Sequence, residues 1–153
     1  LRKKPSLFPR TIAAAGAVFV LDFLSKQAAL SFAAFSSPGP EFFALRLMKS
    51  AGVTIGGTLI PNVALALLYI VIASVFASMA FASHLFLPPR LKAWPLGLGF
   101  AAGGFLANAI DRAMHGNLLD LLALNFTPLG WAWQTTFNIA DLGELAGALL
   151  LLY

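Results

Sequence analysis

The chain of 153 residues contains six acidic side chains. Four of them, Asp22, Asp111, Asp120 and Asp141, lie in or beside segments that otherwise read as lipid-embedded. A carboxylate at membrane depth is expensive and stands there for function or for a specific pairing. Two of the four belong to spaced motifs. One is Asn108-x-x-Asp111-Arg112 followed, after seven residues, by Asp120; the other is Phe137-Asn138-x-Ala140-Asp141. Two aspartates brought together from separate segments are the minimum equipment for water-activating peptide hydrolysis. The ionised one draws a proton from water, while the protonated one hydrogen-bonds the carbonyl oxygen and later helps the amine leave. Side by side, the two titrate as a coupled pair that shares one proton.

The neighbouring polar residues could serve this chemistry or merely stabilise one another. Asp22 and Lys26 are spaced i, i+4 and share a helix face near the outer end of the first apolar run. They form either an ion pair that is complete in itself or a brace for the site. Asn108, Asp111 and Arg112 are spaced i, i+3 and i+4, so they too share a face. Arg112 offers a rigid fork of donors for carboxylates or peptide carbonyls, and Asp111 has Arg112 and Lys26 as candidate partners. Asp120 has apolar flanks that suit a segment dipping back toward the membrane, although a turn or cap aspartate fits the same residues. Glu144 lies one turn below Asp141 on nearly the same face; it is held neutral, paired with a basic residue such as Lys26, or satisfied by Ser, Thr or backbone. His84 and His115 read as interfacial, with no metal-ligand spacing. No phosphate-binding loop, dinucleotide fingerprint or Ser/His site is present, and the absence of Cys excludes disulfides and thiolate chemistry.

The elements that position these residues follow from composition. The chain is 59% hydrophobic and 10% charged, with a mean hydropathy of +0.85, whereas soluble domains are about 25% charged. It reads as an all-α membrane protein, a four-transmembrane-helix bundle forming a single domain over residues 1–153. The spans are expected at about 11–32, 62–84, 93–112 and 136–153, since crossing the hydrocarbon core takes about 20 helical residues. The net charge of +4 does not indicate nucleic acid. Arg2, Lys3, Lys4 and Arg10 precede the first span, and Arg90 and Lys92 sit in one loop, as the positive-inside rule requires of cytoplasmic segments. Both termini are therefore expected in the cytoplasm. Trp131 and Trp133 suit the outer interface and Trp94 the inner one. The first apolar run contains Asp22 and Lys26 and is long for a leader, so it is expected to be a retained span. In the first extracytoplasmic loop, Phe42 to Met48 and the Gly-rich, β-branched stretch from Ala51 to Thr58 predict a small β-rich element on the membrane surface. Gly103 with Ala107, and Gly143 with Gly147, give the third and fourth spans close-packing faces. If the last helix runs from Asp141 to Tyr153, Asp141 lies about 18 Å from its inner end, in the outer half of the core.

Taken in order, Asp22-x-x-x-Lys26, then Gly103-Gly104-x-x-Ala107-Asn108-x-x-Asp111-Arg112 with Asp120, then Phe137-Asn138-x-Ala140-Asp141, resemble bacterial lipoprotein signal peptidase (signal peptidase II). The resemblance covers essentially the whole chain. It implies an aspartic endopeptidase of the bacterial cytoplasmic (inner) membrane, with its active site toward the outer leaflet. Such an enzyme removes the signal peptide of diacylglyceryl-modified prolipoproteins at the modified cysteine. It implies Asp120 and Asp141 as the catalytic pair and Asp22, Lys26, Asn108, Asp111, Arg112 and Asn138 as the supporting polar shell. Ser50 and Gly52 fall where the first outer loop meets substrate. No metal and no cofactor is implied; the partners are the prolipoprotein, membrane lipid and cyclic peptide inhibitors of the globomycin type.

The sequence departs from that family at Ser50, where Asn is usual, at Phe23, Ala107 and Leu121, and at Glu144, where an aliphatic residue is usual. Two other functions fit parts of the pattern. A catalytically inactive relative would bind lipoprotein precursors without cutting them. A small ion-coupled transporter would use the same carboxylates as a relay, but the apolar second span and inner half of the fourth argue against a through-path.

Overall fold

The computed structural model describes residues 8–31, 43–86, 93–126, 129–130 and 134–153. The basic residues Arg2, Lys3, Lys4, Arg90 and Lys92, together with Phe42, Trp131 and Trp133, lie outside the described residues. Four helices and five strands follow one another: α1 (Phe8–Ser31), β1 (Phe43–Ser50), β2 (Gly52–Ile55), β3 (Thr58–Pro61), α2 (Asn62–Phe86), α3 (Ala93–His115), β4 (Leu118–Asn125), β5 (Gln134–Phe137) and α4 (Ile139–Leu152).

The molecule is arranged inside out. Ile12, Val20, Leu21 and Leu24 of α1 and Val63, Leu67, Leu68 and Val71 of α2 are exposed, while Asp22, Lys26, Asn62, Asn108, Asp111 and Arg112 are buried. Lipid solvates the former group and excludes the latter, the reverse of a water-soluble fold. Three helices, α1, α2 and α3, are long and apolar enough to cross a membrane, so the protein is a multi-pass membrane protein.

Helix α3 is the axis of the bundle and packs against all three others. Its glycines permit this. A Cβ on Gly103 would lie 2.5 Å from the Ala15 carbonyl oxygen of α1, and one on Gly104 would lie 2.5 Å from the Ala140 carbonyl oxygen of α4. The paired glycines of α4 divide their work: Gly143 receives Val18 of α1, and Gly147 meets Gly97 and Ala101 of α3. Without a hydrophobic drive between helices in lipid, such backbone proximity is the main source of association.

The fourth helix is shorter than the expected span of about 136–153. Residues 136–153 do not form one helix, because α4 has only 14 residues, about 21 Å of rise against a hydrocarbon core of about 30 Å. Asn138 caps the helix, and Gln134–Phe137 is drawn into a sheet instead. The sheet is also larger than expected. It has three strands in the order β1-β4-β5, all antiparallel, so the α1–α2 and α3–α4 connections both build it. Gly116 at φ +64° ends α3, its N–H returning to the Arg112 carbonyl. This left-handed cap turns the chain straight into β4. A separate hairpin, β2-β3, turns through Gly56 and Gly57, both at positive φ, as a two-residue hairpin demands.

Candidate active site

Asp120 lies on β4, the central strand, opposite Met48 of β1. Between Leu45 and Met48 the register shifts, so a bulge in β1 sits beside Asp120; bulges re-aim side chains in this way. Asp120 is therefore a sheet residue, neither a turn nor a cap aspartate. Its Oδ2 accepts from the Thr136 hydroxyl at 2.7 Å, and its Oδ1 accepts from Asn138 Nδ2 at 3.1 Å.

Asp141 occupies the third position of α4. Asn138 is the N-cap: its Oδ1 accepts from the Asp141 N–H at 3.0 Å, while Asp141 Oδ2 accepts from the Asn138 N–H at 3.0 Å. This reciprocal capping box satisfies two orphan donors of the helix end. The Asn-x-x-Asp spacing could have announced that helix start in the sequence. The other oxygen of Asp141 accepts from Asn108 Nδ2 at 2.8 Å. Asn138 thus contacts both carboxyl groups, Asp141 through its backbone and Asp120 through its amide. That amide also reaches Asn108 Oδ1 at 3.0 Å and the Leu119 carbonyl at 3.3 Å. Among the described residues no cation forms an ion pair with Asp120 or Asp141.

The expected supporting residues divide into three groups, because α3 is central. Asn108, Asp111 and Arg112 fan toward three different neighbours rather than sharing one. Asn108 serves the aspartates. Asp111 faces α1, where Lys26 Nζ lies 3.3 Å away; the same Nζ lies 2.7 Å from Asp22. Asp111 also contacts His115 Nδ1 at 2.8 Å and accepts the Leu119 N–H at 2.7 Å. His115 is therefore part of the polar interior's rim rather than only an interfacial residue. The Asp22–Lys26 pair is more than a self-contained ion pair, since Asp22 Oδ1 accepts the Ala140 N–H at 3.0 Å and holds the first turn of α4. Each end of this group thus touches a residue next to one of the two aspartates.

Arg112 points away from Asp111. It donates to Asn62 Oδ1 and lies over the Tyr69 ring at 5.3 Å. Asn62, which sequence reasoning missed, also donates to the carbonyls of Ser50 and Gly116 at 2.8 and 2.9 Å. It ties the start of α2 to the β1 end and to the α3 cap. Ser50 sits opposite Leu118, two residues along from the Met48–Asp120 pair, and its hydroxyl donates to the carbonyl of Gly52, the first residue of β2, at 3.1 Å. Glu144 does not pair with Lys26, whose partners are the two aspartates; it accepts from Asn108 Nδ2 at 3.2 Å. Thr136 was missed as well, for its role depends on β5 pairing with β4. No three His, Cys, Asp or Glu side chains converge to hold a metal among the described residues.

Apolar helices thus enclose two carboxyl groups joined by one asparagine, and a short sheet presents one of them. Fold and site together define a multi-pass membrane protein with a buried, carboxylate-centred polar interior. Residues 14–153 match the signal peptidase (SPase) II family, and the chain belongs to that family of proteases. A lipoprotein signal peptidase of Janthinobacterium sp. (strain Marseille) is 41% identical over 64 residues, which are 42% of this chain and 36% of that one. One from Rhodococcus jostii (strain RHA1) is 42% identical over 64 residues, 38% of this chain and 29% of that one. The aligned stretches therefore span about a third of those relatives. Two solved structures of bacterial membrane enzymes, obtained by the in meso method at 2.3 and 1.9 Å resolution, share the fold. Each has a TM-score of 0.67, at 19% and 18% identity. They cover 94% of this chain and 85% and 90% of theirs.

Proposed function

We propose that this protein is a lipoprotein signal peptidase, an aspartic endopeptidase that releases the signal peptide of diacylglyceryl-modified prolipoproteins at the modified cysteine. The observation that carries this reading is Asn138, buried and bonded to Asp120 and Asp141 at once. Membership of the signal peptidase II family and the curated names of the relatives support the substrate class.

In this reading residues 1–153 form one domain, with α4 as a short fourth span and both termini in the cytoplasm. The aspartates sit toward the outer leaflet of the bacterial inner membrane. Substrate approaches laterally, its diacylglycerol in lipid and its scissile peptide over the pair, held against β1 and the β2-β3 hairpin near Ser50 and Gly52. One aspartate takes a proton from water as the water oxygen attacks the carbonyl carbon. The other, protonated, donates to the carbonyl oxygen. Collapse of the tetrahedral intermediate then breaks the C–N bond and delivers a proton to the amine of the modified cysteine. Asn108, Asn138 and Thr136 keep both carboxyl groups oriented, and Asp22, Lys26 and Asp111 fix the elements that carry them. The reaction needs no cofactor, and globomycin-type cyclic peptides are expected to compete for the groove.

Cleavage of a diacylglyceryl-modified prolipoprotein by the purified protein in detergent tests this, beside Asp120→Asn and Asp141→Asn. Release of signal peptide by the parent and by neither variant is the expected result. Equal cleavage by all three rejects the catalytic pair, and binding without cleavage by the parent favours the inactive relative.

A further inference from the structure

Asn108 has two amide hydrogens, and both go to carboxylates: one to Asp141 Oδ1 at 2.8 Å, the other to Glu144 Oε1 at 3.2 Å. Its oxygen accepts from Asn138 Nδ2, which also donates to Asp120. Only one orientation of the Asn108 amide satisfies this set. Turned over, its oxygen would face two carboxylate oxygens and its NH2 would face the NH2 of Asn138. The orientation of Asn108 therefore supports that of Asn138, which the α4 cap also holds, and with it the donor that Asp120 receives.

Asp141 alone is an unreliable lock for that orientation. Both of its oxygens already accept N–H groups, so a proton that it takes up during the reaction competes with one of them. Glu144 stands outside the proton transfer, and its oxygen accepts whether the group is ionised or neutral. Its seat is also shaped by a neighbour, since a Cβ on Gly104 would lie 2.7 Å from Glu144 Cγ. Glu144 and Asp141 share one wall of a cavity of about 440 Å³ whose remaining lining is apolar, including Phe76, Phe105 and Leu145.

We infer that Glu144 is a positioning residue that acts through Asn108: by accepting the second amide hydrogen it holds the Asn108–Asn138 pair in register with both aspartates. The inference rests on the reading of Asp120 and Asp141 as the reacting pair. Its requirement is an acceptor oxygen, not a charge.

Glu144→Gln keeps the acceptor and Glu144→Leu removes it; Glu144→Met, whose thioether is only a weak acceptor, is a second variant without an acceptor oxygen should the leucine variant fail to fold. For cleavage of a diacylglyceryl-modified prolipoprotein by the full chain in micelles, kcat of the Leu or Met variant is expected to fall about tenfold, with KM within about twofold. The Gln variant should stay within about twofold of the parent. In parallel, isotope-labelled asparagine read by NMR should show the Asn108 amide protons alike in parent and Gln variant, with one displaced in the Leu variant. Parental kcat in the Leu variant overturns the inference, as does an equal fall in Gln and Leu, which would assign the effect to charge. If the parent itself does not cut, the proposed function fails, while the amide spectra still decide whether Glu144 locks Asn108.

Discussion

Asn138 carries two loads that substitution can separate. Its oxygen caps α4, and its amide hydrogens serve Asp120, Asn108 and the Leu119 carbonyl. Asn138→Ala removes both. Loss of a good N-cap costs about 1 kcal/mol. Two amide hydrogens supply the remaining partners, and losing each strands a buried acceptor at about 1 kcal/mol or somewhat more. The alanine variant should therefore be less stable by about 3 kcal/mol. Asn138→Ser keeps a capping oxygen but lacks the amide, so it should lose about 2 kcal/mol. Activity should not follow this order. In both variants Asp120 loses a buried donor worth about 1–2 kcal/mol, a factor of roughly five to thirty in rate if the bond persists into the transition state. Unfolding of the purified variants in micelles reads the first effect, and initial rates of signal-peptide release read the second. A serine variant that cuts at the parental rate would show that the amide does not orient Asp120. Equal stability of the two variants would refute the separation of cap from donor.

Three further outcomes concern the scaffold. Lys26→Met leaves Asp22 and Asp111 buried without their shared cation and should destabilise the protein by about 3–5 kcal/mol; adding Asp22→Asn should recover part of that, and parental stability of Lys26→Met would contradict the role given to the ion pair. Gly103→Ala drives a methyl toward the Ala15 carbonyl and should cost about 1–3 kcal/mol in thermal unfolding. Gly16→Ala, with nothing within 4 Å of the added carbon, should be neutral or stabilising by up to about 1 kcal/mol.

The same Asn-x-x-Asp spacing that suggests a site also starts a helix. A residue at the third position of α4 has its carboxylate directed at the helix end, where free N–H groups carry partial positive charge. Asp22 reaches that end from α1 by accepting the Ala140 N–H. Two carboxylates thus converge on the first turn of one short helix, and the capping geometry holds Asp141 in the same place that the proposed chemistry needs it.

The character of the protein was legible in the residues: long apolar runs, buried charges that lipid would not tolerate unpaired, and two aspartate motifs. The length of the apolar runs indicated α1, α2 and α3, since each span is a local property of about twenty residues. The spacings of Asp22 with Lys26 and of Asn138 with Asp141 lie within one helical turn, so their contacts could be read from the chain. What the tertiary structure decided was everything joined across long separations. The run Leu118 to Leu122 is apolar around one aspartate and does not by itself distinguish a membrane dip from a strand; pairing with β1 and β5 made it the central strand and gave Asp120 its Thr136 donor. Arg112 turned to Asn62 rather than to the adjacent Asp111, and Glu144 to Asn108 rather than to Lys26. The physical reason is that side-chain bonds in a lipid-embedded interior go to whichever partner the packing of glycines brings within reach, and that packing depends on all four helices at once.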